Sequence, residues 1–272
     1  MSTLFDIAAP AMDGAQGQGA TTEFKLRGIQ AAITVTMRVA TGPHLIRFPY
    51  WHIDLNSGCG INRDAGCVGS PLAFLQAAYS LKPNYRAFFC DIREEAVAEL
   101  KERLGANPRS TALCGNNRDA LPLIADQIRR AERKPRFAMG TVLCDPNGYF
   151  YGDSVPANEL ADFCREFPRI DVILNLNVRT RRLIRGCIEK RRAGWENVSC
   201  LGLDELPGFL NRRYWLIRNL ISKGGDQFVL MIGRNYRLGD HRALGFHHWE
   251  SAAGQAILAA VEGARVKLER AV

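Results

Sequence analysis

Short apolar runs alternate with amphipathic segments along most of this chain, and that alternation leaves it few architectures. The runs Trp51–Leu55, Ala87–Cys90, Ser110–Leu113, Thr141–Cys144 and Val172–Leu176 have the length and composition of buried strands. Between them, Pro71–Leu81, Glu94–Leu104, Ala120–Arg133 and Asn158–Phe167 read as helices. In Glu94–Leu104, for example, Ala96, Val97, Leu100 and Leu104 share one face and the charges take the other. Alternation of this kind builds βαβ units and a mostly parallel sheet. Two later apolar segments, Tyr214–Leu220 and Gln227–Ile232, are separated by Ser222-Lys223-Gly224-Gly225-Asp226, turn chemistry that suits an antiparallel pair. The expectation is an α/β, Rossmann-like fold: a mostly parallel seven-stranded sheet, a late antiparallel hairpin, and helices on both faces.

The 272 residues suffice for one large core without disulfide staples. Residues 1–22, rich in Gly, Ala, Gln and Thr, read as a flexible tail, and 23–272 as a single domain. Within that domain Glu23–Val39 forms an accessory helix or strand, ended by Gly42-Pro43, and Ser251–Leu268 a last helix. No uninterrupted apolar stretch reaches membrane-spanning length, and the first residues lack the pattern of a signal peptide, so a cytoplasmic protein is expected. The eight cysteines form no Cys-x-x-Cys pair and none sits at zinc-ligand spacing from a histidine. They read as reduced core thiols, with no metal expected. His241, His247 and His248 read as a surface loop and the start of the last helix, without a carboxylate or thiol at ligand spacing.

A formal charge of +8 favours a polyanionic partner, nucleic acid before others. Arg179, Arg181, Arg182 and Arg185 cluster in a helix-like stretch, Lys190, Arg191 and Arg192 follow, and Arg212 and Arg213 come soon after. A solvated helix face would produce the same run, so the charges alone leave both readings open.

Chemistry concentrates at the ends of the expected strands. The first runs into Asp54-Leu55-Asn56-Ser57-Gly58-Cys59-Gly60, where a Gly-x-Gly turn lets backbone pass close to a ligand that a Cβ would obstruct. The third glycine of a dinucleotide fingerprint is missing. The second strand ends on Asp91, placed to accept both hydroxyls of a ribose or to cap the next helix. The third ends near Asn116, either a contact to an adenine edge or a helix cap. The fourth ends in Asp145-Pro146-Asn147-Gly148-Tyr149-Phe150. There Asp145 can accept hydrogen bonds from an amine, Pro146 fixes the turn, and Tyr149 or Phe150 can stack on a base; a generic turn explains the same tetrapeptide.

Together these segments resemble the three-Cys-motif partner family, which has a class I methyltransferase fold. The family's Asp-Leu-Phe-Ala-Gly-Pro-Gly aligns with Asp54–Gly60, its Gly-Ser-Pro-Leu with Gly69-Ser70-Pro71-Leu72, and its strand-ending acid with Asp91. Its Asp-Pro-Tyr-Gly falls on Asp145–Gly148, and its late aromatic strand on Arg213-Tyr214-Trp215-Leu216. The resemblance spans roughly residues 48 to 235. It implies S-adenosylmethionine held around Asp54, Asn56, Gly58, Gly60, Asp91 and Asn116. It also implies methyl transfer near Asp145, Pro146, Asn147 and Tyr149. Asn56 and Asn147 stand where the family has aromatic rings, which removes one surface against the cofactor and one against a base. The expected activity is methylation of nucleic acid at an exocyclic base amine. The alternatives are a non-catalytic module of the same fold that binds nucleic acid or a partner protein, and a different transfer chemistry on the same scaffold.

Overall fold

A computed structural model describes residues 21–40, 48–62, 66–145, 157–178, 202–221, 227–237 and 241–269. The described residues open with helix α1 (Thr21–Ala40), so the accessory segment is helical. Residues 1–20 of the expected tail lie outside the described residues, as does the basic stretch 179–201. Strand β1 (Tyr50–Asp54) follows, then a small β2 (Ile61–Asn62) and β3 (Cys67–Val68) pair, and α2 (Ser70–Leu81). The regular alternation then runs β4 (Tyr85–Asp91), α3 (Glu94–Leu104), β5 (Ser110–Cys114), α4 (Asn117–Ala131), β6 (Met139–Cys144), α5 (Ala157–Glu166) and β7 (Ile170–Asn177). A short α6 (Leu206–Phe209) leads to β8 (Tyr214–Ile221), β9 (Gln227–Arg234), β10 (His247–His248) and α7 (Ala252–Glu269).

The main sheet has the order β10-β8-β9-β7-β6-β1-β4-β5. Strands β5, β4, β1, β6 and β7 are mutually parallel. β9 enters antiparallel between β7 and β8, which turns β8 back into the direction of the parallel set. This is the Rossmann-like methyltransferase arrangement with its late antiparallel pair. The expected count of seven strands is corrected to eight. His247–His248, read as loop and helix start, pairs antiparallel with β8, His248 opposite Leu216. A two-residue strand carries no period of its own and forms because β8 offers it an open edge.

Side chains on β1 alternate between the two faces. Trp51, Ile53 and Leu55 join the core shared with α4, α5 and α7, while Tyr50 joins the core under α1, α2 and α3. His52 takes the second face as well, its ring stacked on Phe74 of α2 at 4.0 Å. Between β8 and β9, Trp215 lies over Gly233, where an added Cβ would meet the indole at 2.5 Å. A buried polar group ties the starts of β1 and β7 to the end of β9: Arg234 pairs with Asp171, Tyr236 donates to Asp171 at 3.3 Å, and the Tyr50 hydroxyl bonds Thr36 of α1 at 3.2 Å. Of the cysteines described, Cys90, Cys144 and Cys164 are buried, Cys59 and Cys67 half-buried, and Cys114 exposed, all as free thiols. No described helix is long and apolar enough to cross a membrane.

Candidate functional site

β1 sits at the point where the winding reverses. From it the chain steps through α2 to β4 and through α3 to β5, then crosses by α4 to β6 on the other side. In open α/β sheets the crevice at the carboxyl ends of the strands flanking such a point is where ligands bind. Asp54, Asp91, Asn116 and Asp145 all fall at that edge, each at or just past the end of a neighbouring strand.

The glycine turn is fastened to both neighbours. Leu55 N–H donates to the Leu143 carbonyl at 3.0 Å, and Ser57 donates to the Cys90 carbonyl through N–H at 2.9 Å and Oγ at 3.1 Å. Gly58 has φ +60° and gives its N–H to Asp91 Oδ2 at 2.8 Å. Among the described residues, a Cβ at Gly58 would meet only the Arg93 guanidinium, 3.8 Å away, so the described structure leaves open space beside this backbone. Gly60 has φ +86°, and its carbonyl accepts from Gly69 N–H at 2.7 Å. A Cβ on Gly69 would stand 3.0 Å from the Gly60 carbonyl. The glycine of the Gly-Ser-Pro-Leu segment is therefore fixed by close backbone approach, and Pro71 sits in the first turn of α2 where its missing N–H costs nothing.

Asp54 is fully buried beneath this turn. Its Oδ1 accepts Asn56 N–H at 3.1 Å, while Oδ2 has no hydrogen-bond partner. Burial pushes its carboxyl up to about 7; Ser70 and the Asn56 N–H pull against that, and the charges of Asp145 and Asp91 add to it. Asp91 is engaged on both oxygens, with Oδ1 accepting from Arg93 N–H at 3.0 Å and Nε at 3.1 Å. The Arg93 side chain is 59% exposed and Asp91 11%. Asn116 caps α4, its Oδ1 accepting Arg118 N–H at 2.9 Å.

Asp145 is the centre of a node that sequence reasoning did not assemble. Its N–H donates to Asn56 Oδ1 at 3.1 Å, its Oδ1 accepts from Asn175 Nδ2 at 2.8 Å, and its Oδ2 pairs with Lys25 Nζ at 2.7 Å. Lys25 comes from α1 and Asn175 from β7. The only signal for Asn175 was a polar residue interrupting an apolar strand. Pro146, Asn147, Tyr149 and Phe150 lie outside the described residues, as do Arg179, Arg181, Arg182 and Arg185.

Arg212, expected at a nucleic-acid surface, is corrected. It is 3% exposed and donates to the carbonyls of Cys164 (2.8 Å), Phe167 (3.1 Å) and Ile170 (2.7 Å). It closes the end of α5 and the turn into β7, so its guanidinium is spent on backbone. Arg213 is exposed, over the Tyr214 ring at 5.3 Å. Among the described residues, no group of three His, Cys, Asp or Glu could hold a metal ion.

Neither a family model nor a curated protein sequence matches the chain. Solved structures do. A DUF519 protein from Legionella pneumophila str. Philadelphia 1 superposes with a TM-score of 0.54 at 9% identity, over 84% of this chain and 90% of that one. Magnesium protoporphyrin IX methyltransferase from Synechocystis PCC 6803, solved with bound SAH, gives 0.47 at 13% identity, over 83% and 90%. At such identities the likeness is one of fold.

Proposed function

We propose that the protein is an S-adenosylmethionine-dependent methyltransferase acting on nucleic acid, with an exocyclic base amine as acceptor. The observation that carries this reading is Gly58: a left-handed residue facing open space at the switch point, its N–H held by Asp91. Buried Asp54, with an oxygen lacking any partner in the protein, lies under the same turn and fits a polar ligand there. The strand order and the resemblance of Asp54–Gly60, Gly69–Leu72 and Asp91 to the three-Cys-motif partner family point the same way.

Bound in this crevice, S-adenosylmethionine would supply an electrophilic methyl group on a sulfonium. Gly58 and Gly60 would admit it to the backbone, with Asn56 beside them. Asp91 would accept two ribose hydroxyls once the exposed Arg93 side chain swings aside, and Asn116 would stand at the adenine. Asp145 would take the N–H of the acceptor amine and aim the nitrogen lone pair. Lys25 and Asn175 occupy two of its roughly four lone-pair sites, which leaves room for that bond. Pro146 and Asn147 would shape the turn, and Tyr149 or Phe150 would stack the base. The charge of +8, with Arg179, Arg181, Arg182 and Arg185, suits phosphates.

Calorimetric titration with S-adenosylmethionine tests the reading. Micromolar affinity in the wild type, lost in Asp91→Ala, supports it, and labelled methyl transfer to RNA or DNA, lost in Asp145→Ala, identifies the acceptor. A folded wild type that binds no S-adenosylmethionine returns the chain to the non-catalytic alternative.

A further inference from the structure

The edge of the sheet opposite the crevice has a composition of its own. The residues leading into β4, β5, β6, β7 and β8 and out of β9 occupy 82–86, 105–109, 132–138, 167–169, 211–213 and 235–237. These six segments carry nine exposed lysines and arginines against one carboxylate, Glu132, which accepts a hydrogen bond from Trp51 Nε1 at 2.9 Å. That excess equals the formal charge of the entire chain, +8. Several cations elsewhere are paired: Arg129 with Glu166, Arg165 with Asp162, Arg103 with Glu99.

The excess is also ordered. Following the sheet from β8 to β5, the segments at this edge contribute Arg213, Arg237, Arg169, Arg136, Arg86 and Arg109, one for each strand but β1. At about 4.8 Å per strand the row is about 29 Å long. Two exposed aromatic rings stand in it. Phe48, 60% exposed, precedes β1, the strand between β6 and β4. Phe137, 46% exposed, has Arg169 at 4.7 Å and Arg136 at 5.7 Å from its ring centre. An edge rich in cations that also carries exposed aromatic rings matches a single polyanionic strand whose bases are free to stack. An anionic bilayer would need a broader apolar face to insert.

We propose that this edge is a docking surface for single-stranded nucleic acid, separate from the crevice. The strands place it about 20 Å away, taking the six residues of β6 at about 3.3 Å each. The surface owes nothing to the methyl-transfer reading and would operate without any cofactor.

The test is fluorescence anisotropy of a labelled 20-nucleotide single-stranded RNA with the full chain, without S-adenosylmethionine, across a salt series. Arg136→Glu/Arg169→Glu is expected to weaken binding at least tenfold and flatten the salt dependence. Phe48→Ala/Phe137→Ala is expected to weaken binding while leaving the salt slope in place. Arg93→Glu/Arg118→Glu, the same charge change at the crevice, is expected to weaken it less than threefold. Arg136→Gln/Arg169→Gln repeats the first arm with less disturbance, and thermal midpoints certify that each variant is folded. Equal losses at the two edges, or a larger loss at the crevice, would overturn the proposal. So would a 20-base-pair duplex binding as tightly and indifferent to the phenylalanines, or phosphatidylserine vesicles capturing the protein while the RNA does not.

Discussion

Lys25 Nζ lies 2.7 Å from Asp145 Oδ2, and the pair fastens the first helix to the end of β6. Both side chains are 18% exposed, so the ammonium and carboxylate are largely out of water and each depends on the other. Lys25→Met and Asp145→Asn should each destabilise the fold, and the double variant by less than their sum. A double-mutant cycle by urea denaturation should give a coupling of about 1–2 kcal/mol. A coupling near zero would mean that α1 is held by its apolar face alone, through residues such as Ile29, Ile33 and Met37.

Asp54 and His52 share a face of β1 and should tilt stability with pH in opposite directions. Burial raises the Asp54 carboxyl from 3.8 to about 7, so the folded state holds a proton that the unfolded state has lost. Stability therefore falls as pH rises from about 4 to 7. Burial lowers His52 from 6.5 to about 3, and its ring nitrogens have no hydrogen-bond partner. Here the unfolded state binds the extra proton, so stability rises with pH up to about 6.5. Asp171, raised to about 6 by burial against the pull of Arg234, adds to the Asp54 trend below pH 6. Between pH 5 and 8 the advantage of Asp54→Asn over wild type should grow by about 3 kcal/mol. Over the same range that of His52→Phe, which keeps the stack on Phe74, should shrink by about 2 kcal/mol. Parallel curves for both variants and wild type, measured by denaturation at each pH, would remove these groups as the cause.

Adjacent arginines should behave as different kinds of residue. Arg212→Ala removes a buried guanidinium's bonds to three backbone carbonyls, of which that of Phe167 keeps the Ile170 N–H, and should cost about 3 kcal/mol of stability, read as a lowered thermal midpoint. Below that midpoint its RNA affinity should match wild type within twofold. Arg213→Glu should keep the midpoint and weaken RNA binding.

That contrast marks where legibility in the sequence stops. Strands and helices could be read because their apolar period is local: Glu94–Leu104 is the same helix in the sequence and in the structure. Four strand-end residues could be placed at one crevice because parallel winding sends every carboxyl end the same way. Contacts between distant segments left no such trace, so Lys25, 120 residues before its partner Asp145, was invisible. Arg212 and Arg213 are alike as letters, and only the packing of α5 against the start of β8 decides which is buried. The arginines at the far edge, Arg213 apart, are illegible in the sequence for a related reason. They come mostly singly from separate loops, whereas the run 179–192 is dense in the sequence and lies outside the described residues.

Gly58 offers a test that separates fold from ligand. At φ +60° an alanine carries the penalty of the left-handed region, about 1–2 kcal/mol, yet its methyl would touch nothing nearer than Arg93 at 3.8 Å. Gly245 is a matched control, with φ +76° and its added Cβ 3.1 Å from the flexible Arg218 side chain, beside β10 and far along the sheet from β1. Gly58→Ala and Gly245→Ala should therefore lose similar stability. If the open space at Gly58 belongs to a ligand, only Gly58→Ala should lower S-adenosylmethionine affinity, by tenfold or more in the calorimetric titration. Gly69→Ala should join it by another route. Gly69 has φ −77° and no dihedral penalty, but its methyl would press on the Gly60 carbonyl at 3.0 Å and displace the turn. Loss in both glycine-turn variants with the control intact would place the ligand against this backbone. Unchanged affinity in Gly58→Ala would move it elsewhere in the crevice.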